Sequence, residues 1–229
     1  MNATLRLFVT AALLCSAPAS AKPKPVPGAK LFFASGTVTV ESKGSAHAGE
    51  IGEPLGEGDA VTTGDKGTAV VELADGSRLK LRESGRVVLS LPGPRSPVTT
   101  ILLSIGGVFA KVAKQLPGAE FHVRTPSAVA AVRGTQFFTA YGREHGKARD
   151  LWVCVNEGAV EVKTTASDKA VRVPAGKGVL IKNGLDTAKP QAFDWTKTLN
   201  WNMDPASGDV EDKTNLDAAY ADLLDQDYR

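Results

Sequence analysis

Cysteine and histidine, on which many metal and redox sites depend, are scarce in this chain of 229 residues. It contains two cysteines, Cys15 and Cys154, and three histidines, His47, His122 and His145. None of them stands in a CxxC or HxxxH spacing, as the common zinc motifs require. We therefore expect no metal site and no cofactor.

A dense run of basic residues is also missing, as is an apolar stretch long enough to span a membrane. Lys and Arg number 27 against 25 Asp and Glu, so the formal net charge is +2. A nearly neutral chain gives no electrostatic reason to expect nucleic acid. A membrane helix needs about 20 apolar residues, and no later segment has them. The sequence therefore predicts no nucleic-acid partner and no integral span once a leader is removed.

The first 21 residues have the order of a secretory signal peptide. Arg6 supplies a positive charge, residues 7–15 form a short apolar run, and Ala19-Ser20-Ala21 places small residues before Lys22. This order is typical of a cleavable signal. We expect cleavage between Ala21 and Lys22 and a periplasmic or secreted mature protein.

Cys15 raises the alternative of a lipoprotein anchored through this cysteine. A lipobox normally has Gly, Ala or Ser directly before its cysteine, whereas this chain has Leu14. The soluble exported form is therefore favoured over lipid anchoring at Cys15.

A Pro-rich leader, residues 22–29, precedes a long stretch of β-forming segments divided by glycine turns, residues 30–184. Asp75-Gly76 between two such segments is a strong hairpin signal. Many short strands at regular turn spacing predict an all-β fold, either β-solenoid-like or a twisted sandwich. The predicted strands cover residues 36–40, 68–73, 77–81, 86–91, 98–104, 107–112, 120–123, 135–140, 151–155, 159–163, 170–173 and 178–182.

The remaining residues, 185–229, read as a polar tail that ends in a short acidic amphipathic helix. Asn215 can cap a helix in which Leu216, Tyr220, Leu223 and Leu224 share one face. We expect this helix to pack on its own domain. Docking onto a partner and disorder are the alternatives.

No catalytic constellation is visible in the sequence. Cys154 could act as a nucleophile if a histidine lay near it in space, but it sits within a plain strand pattern, Trp152-Val153-Cys154-Val155. A small buried residue is the better interpretation. We therefore expect a protein that is not an enzyme.

The most distinctive stretch runs from Phe121 to Phe137. Pro126 pushes Thr125 toward extended geometry, and Gly134 allows a sharp bend before the strand at Thr135. Arg133 is the one charged group in a run of Ala and Val, so we expect it to reach a carboxylate or backbone carbonyls in a fold-defining turn. A ligand-binding arginine is the minority alternative.

This stretch and its flanks resemble the signature of the FecR-domain family. The shared pattern includes a DGS turn, a Thr-Pro pair, an RGTxF run and an EG turn, and its order matches over roughly residues 30–184. The motif residues, expected to be structural, are Asp75, Gly76, Thr125, Pro126, Arg133, Gly134, Thr135, Phe137, Glu157 and Gly158.

The resemblance implies an extracytoplasmic, all-β, non-enzymatic domain. In the best-understood members it senses an outer-membrane iron–siderophore receptor and signals to a sigma factor. Such a sensor has a cytoplasmic region and a membrane span ahead of the domain, whereas a signal-like segment stands there in this sequence. We therefore expect a binding, scaffold or sensing module of the cell envelope with a protein partner, and a periplasmic component of a TonB-receptor/sigma-factor system as an alternative.

Binding of cell-wall glycan, such as peptidoglycan, is a further alternative. Trp152, Trp195 and Trp201 would provide the aromatic faces on which sugar rings stack.

Overall fold

The computed structural model describes residues 28–225, except 94–95, 115–116, 146–147, 168 and 186–188. The predicted signal peptide, its cleavage site at Ala21 and Lys22, Cys15 and most of the Pro-rich leader lie outside the described residues. Within the described part, sixteen strands and one α-helix form. They are β1 Ala29–Ser35, β2 Val38–Ser42, β3 Ser45–Ala48, β4 Pro54–Leu55, β5 Ala60–Thr63, β6 Thr68–Leu73, β7 Arg78–Leu81, β8 Arg86–Ser90, β9 Val98–Lys111, β10 Glu120–Arg124, β11 Ala128–Val132, β12 Gln136–His145, β13 Ala148–Glu157, β14 Ala159–Thr164, β15 Ala170–Pro174, β16 Gly178–Ile181 and α1 Leu216–Asp225.

The strands form one continuous sheet that folds into two layers along β9. Layer 1 has the order β4-β1-β6-β7-β9-β12-β13-β16, and layer 2 the order β3-β2-β5-β8-β9-β10-β11-β14-β15. The first half of β9 pairs with β8 and β10, and the second half with β7 and β12. The all-β prediction is confirmed, and the arrangement is the twisted sandwich of the two alternatives.

A main core lies between the layers, because each strand turns alternate side chains inward. Leu79 and Leu81 of β7 and Val108 of β9 belong to it, and so does Phe137 of β12. All four side chains are completely shielded from solvent. This core holds the two layers together.

A second core covers the opposite face of layer 1. Phe109, Phe138 and Trp152 point away from the main core and are buried there. They are covered by residues 193–220, which we call the strap. The strap contributes six buried side chains to this core: Phe193, Leu199, Met203, Val210, Ala219 and Tyr220.

The sequence located most strands but divided one that is continuous. Residues 98–104 and 107–112 were predicted as two strands, whereas β9 runs without interruption from Val98 to Lys111. Gly106 has φ +94°, and a Cβ there would lie 2.5 Å from the Cα of Gly85. The glycine thus lets the strand bend between the layers at a close backbone approach, so it does not end the strand.

Five strands were not predicted. β1, β3, β4 and β5 lie in the first part of the domain, where turn residues crowd the pattern. β11, residues Ala128–Val132, was read as part of a turn because it consists of Ala and Val alone. It is a strand whose Ala128, Ala130 and Val132 are buried, paired with β10 and β14.

The tail is not simply polar, since the strap packs on layer 1. The predicted cap of the C-terminal helix is confirmed: Asn215 Oδ1 accepts hydrogen bonds from the backbone N–H groups of Asp217 and Ala218. Tyr220 is buried and Leu216 is half-buried. The helix therefore turns Tyr220 inward, as the prediction of packing on its own domain requires.

Candidate functional site

The Asp75-Gly76-Ser77 turn joins β6 to β7. The Asp75 carboxylate accepts hydrogen bonds from the backbone N–H and the hydroxyl of Ser77, both at 2.9 Å, and Gly76 has φ +82°. Ser77 is fully buried, and its hydroxyl also accepts a bond from the N–H of Ala113 at 3.0 Å. The turn is therefore tied to the chain that leaves β9.

Two further motif turns touch each other directly. Gly134 (φ +68°) precedes β12 and Gly158 (φ +79°) precedes β14. A Cβ at Gly158 would lie 2.9 Å from the Gly134 carbonyl oxygen. Thr135 is buried beside them and its carbonyl accepts the N–H of Val112 at 2.8 Å.

Most of the motif therefore gathers at one end of the sandwich, around residues 112–113. Phe137 follows into the main core and is fully buried. Glu157 is exposed on the surface of this end and pairs in register with Gln136. The contacts at this end are made by carbonyl groups, hydroxyls of turn residues and glycines. Such contacts are typical of a structural junction between strands.

Thr125 and Pro126 lie in a different turn, between β10 and β11. The Thr125 hydroxyl is buried. It accepts a hydrogen bond from the N–H of Ala128 at 3.1 Å and donates one to the carbonyl of Ala128 at 3.2 Å. Pro126 is exposed, where its missing N–H leaves no donor unpaired. This pair closes a tight hairpin.

Arg133 does not reach the carboxylate or backbone carbonyls that its surroundings predicted for it. Its side chain is exposed, and no carboxylate or carbonyl among the described residues is bonded to it. The prediction of a pinned arginine was wrong because Arg133 follows the end of β11, where the alternation points it out of the sandwich. Ala131 and Val132 before it belong to a regular strand.

The residues considered for catalysis are not arranged as a site. Cys154 is fully buried in the second core, and burial raises the pKa of its thiol far above the ordinary value. A thiol held neutral in an apolar environment is a poor nucleophile. Among the described residues, no three His, Cys, Asp or Glu side chains lie close enough to hold a metal ion.

The three tryptophans pack inward and do not form a stacking platform. Trp152 is buried, with Trp195 5.2 Å away between ring centroids. Trp201 meets the edge of Phe109 at 5.3 Å, and Trp195 lies parallel to Phe193 at 6.1 Å. Their faces are largely used within the second core, which does not support the glycan alternative.

The most unusual feature of the molecule is a row of basic side chains on β7 and its end, which we call the basic row. Arg78, Lys80 and Arg82 alternate with Leu79 and Leu81, so all three point to the outer face of layer 1. Sequence reasoning missed this row, although the pattern Arg-Leu-Lys-Leu-Arg shows it. Opposite it lies the strap.

Lys80 occupies the centre of the row and is fully buried. Its ammonium donates to the main-chain carbonyls of Asn200, Asn202 and Val210 at 2.5, 2.8 and 3.0 Å. It also lies 4.3 Å from the centre of the Phe109 ring. Burial lowers its pKa to about 8.

The two arginines hold the strap on either side of Lys80. Arg78 pairs with Asp204 at 3.1 Å. Arg82 donates to the carbonyls of Asp212 and Thr214 at 3.1 and 2.9 Å. Its Nε lies 3.2 Å from the Asp212 carboxylate, an ion pair without hydrogen-bond geometry.

A buried polar contact fixes the far end of the strap. The Tyr220 hydroxyl donates to the carboxylate of Asp150, which is completely buried in β13. Beside it, a cleft of about 660 Å³ opens between residues 211–217 of the strap and the Gly106–Gly107 bend of β9, with Arg82 in its wall. The strap thus lies against layer 1 but does not fill this end.

Comparison with protein families identifies the β domain. Residues 59–161 match the model of the FecR protein family. This segment is similar to the FecR domain. The match includes the motif turns and the basic row but ends before the strap, and the resemblance seen in the sequence is confirmed. A search of the curated proteins finds no significant match.

Solved structures share the fold of this β domain. Two crystal structures of a candidate anti-sigma factor from Parabacteroides distasonis superpose with a TM-score of 0.51 at 19% sequence identity. The aligned region covers 61% of this chain and 62% or 63% of those chains. The chain thus spans less than two thirds of their length, and the likeness establishes the fold. None of the described helices is long and apolar enough to cross a membrane.

Proposed function

We propose that this chain is a non-enzymatic, extracytoplasmic module of the bacterial cell envelope that binds a protein partner and senses its state. The FecR domain at residues 59–161 carries the proposal. The signal-like order of residues 1–21 supports export, and the buried, unreactive Cys154 removes the best candidate nucleophile.

The sheet edges offer a surface for the partner. Layer 2 ends in β3 at one side and β15 at the other, and each is paired on one side only among the described residues. All four residues of β3 are exposed. An extended segment of a partner can add to such an edge by main-chain hydrogen bonds.

A more specific form of this function is supported by the fold. The structural neighbours are candidate anti-sigma factors, so the bound partner can belong to a signalling system. In this form the chain is a periplasmic component of a TonB-receptor/sigma-factor pathway.

Position-specific photocrosslinking in cells tests the proposal. A crosslinking amino acid is placed at Ala46 in β3, at Ala170 in β15, and at Leu102 on the outer face of layer 2 as the control. We expect a defined envelope protein to be captured from an edge position and not from Leu102. Equal capture from all three positions, or none from either edge, would contradict partner binding by the edges.

A further inference from the structure

The basic row places charged side chains on a buried face. Apolar side chains would cost less free energy to bury there. The Lys80 ammonium lies over the ring of Phe109 in a fully buried position, and desolvation is the main cause of its lowered pKa. The layer that carries Lys80 supplies none of its three hydrogen-bond acceptors; all are main-chain carbonyls of the strap. Face and strap therefore recognise each other through main-chain groups and charge.

The strap is acidic and matches the basic row. Residues 193–220 contain more acidic than basic residues. Two of the carboxylates, those of Asp204 and Asp212, lie on Arg78 and Arg82. Its apolar anchors, including Met203 and Val210, fill the spaces between these charges.

The strap is attached without joining the sheet. The isolated bridge between Gly178 and Gln191 precedes it, and no strand pair with layer 1 is formed by residues 193–220. Short 3-10 turns at Asp194–Thr198 and Pro205–Ser207 and side-chain bonds within the segment give it shape. A segment held by side chains and carbonyls can be exchanged without breaking a β-ladder.

We propose that the outer face of layer 1 is a binding surface for an acidic peptide segment with large apolar anchors, and that the strap occupies it in cis. The strap is then an autoinhibitory segment, and a partner segment of the same chemistry displaces it. The chemistry of recognition is the basic row with the ring of Phe109. The inference deepens the proposed function by naming a second surface, but it does not depend on export or on the sheet edges.

Exchange in trans tests the proposal with purified mature protein. The probe is a fluorescent synthetic peptide with the sequence of residues 193–220. The Met203→Asp variant removes a buried anchor of the strap and leaves layer 1 unchanged. Ala206→Asp adds the same charge at an exposed position and is the matched control. We expect Met203→Asp to bind the peptide at least tenfold more tightly than the control or the unaltered chain.

A second peptide tests the chemistry of recognition. It carries Asn in place of Asp204 and Asp212, and we expect its affinity for the Met203→Asp variant to fall at least threefold at low salt. Equal affinity of the two peptides would overturn the role of the basic row. Both peptides are compared at two salt concentrations, because charge pairing weakens as salt rises.

If the peptide does not bind, hydrogen exchange of the strap amides shows whether the strap had opened. If the strap of Met203→Asp exchanges faster than β9 and β12 and the peptide still does not bind, the surface is not a peptide site. If the strap opens only together with the sheets, in this variant and in a second one, Leu199→Ser, the strap is a fixed part of the core and the proposal is overturned. Because purified protein is used, failure here is distinct from failure of the crosslinking in cells.

Discussion

Gly134 and Gly158 bring two turns of the FecR motif into contact. Both have positive φ, and the space between them is smaller than a methyl group requires, since a Cβ at Gly158 would lie 2.9 Å from the Gly134 carbonyl and from Thr135 Cγ2. Gly76 has nearly the same φ but no atom within 4 Å of its ideal Cβ position. Substitutions at the two sites therefore distinguish the free-energy cost of positive φ from the free-energy cost of a steric clash.

We expect Gly158→Ala to lower the free energy of unfolding by about 2–3 kcal/mol, because it adds a steric clash to positive-φ strain. Gly76→Ala is the matched control and should lose about 1 kcal/mol from the strain alone. Urea unfolding of both variants measures the difference. Equal losses would show that the contact between the two turns contributes nothing to stability.

Single residues differ in how well the sequence predicts them. The Asp75-Gly76 turn follows from local chemistry, since glycine tolerates positive φ and aspartate accepts hydrogen bonds from its own turn. The exposure of Arg133 did not follow, because it depends on the alternation of β11, a strand of Ala and Val alone. The role of Lys80 was not foreseeable either, since its acceptors lie 120 to 130 residues further along the chain.

At the scale of elements, β7 and the strap form one unit through Lys80. Charged Lys80 is costly to bury, and neutralising it removes that cost. Its pKa is about 8 in the folded protein and 10.5 in its ordinary state. Between these values the unfolded chain binds more protons than the folded one, so the free energy of unfolding should rise with pH.

We predict that this rise amounts to at most about 1.4 kcal/mol per pH unit and is lost in Lys80→Met. Urea unfolding at intervals from pH 7.5 to 10.5 measures it as the difference between the unaltered chain and the variant. Lys177→Met, at an exposed position, controls for the loss of one charge. Parallel stability curves for the unaltered chain and Lys80→Met would contradict the assigned burial of Lys80.

Elements with a clear pattern were predicted within one or two residues, such as β6 at Thr68–Leu73 and the capped helix α1. The continuity of β9 was not predicted, because a glycine pair usually marks a turn. In this chain the pair marks a bend between the layers. The docking of residues 193–214 was also missed. Their apolar residues lack helical or strand periodicity, so sequence pattern alone shows a polar loop.

At the scale of the whole molecule, the composition and turn spacing were sufficient to predict an all-β fold, and the motif was sufficient to predict the match of residues 59–161 to the FecR family. The second core was not predicted, because it requires layer 1 to be apolar on both faces. Consecutive residues of β12, Phe137 and Phe138, point to opposite faces of the layer and are both fully buried for this reason. The surfaces and charges on which the proposed partner binding depends assemble only in the folded chain.

The proposed extracytoplasmic role is tested most directly by measuring where the chain resides in the cell and at which residue its mature form begins. The full chain with a C-terminal tag is expressed in a Gram-negative host, the cells are fractionated, and the intact mass of the tagged protein is measured. We predict a soluble periplasmic protein that begins at Lys22. A cytoplasmic protein that retains residues 1–21, or a membrane-bound species with lipid on Cys15, would contradict a soluble extracytoplasmic binding module.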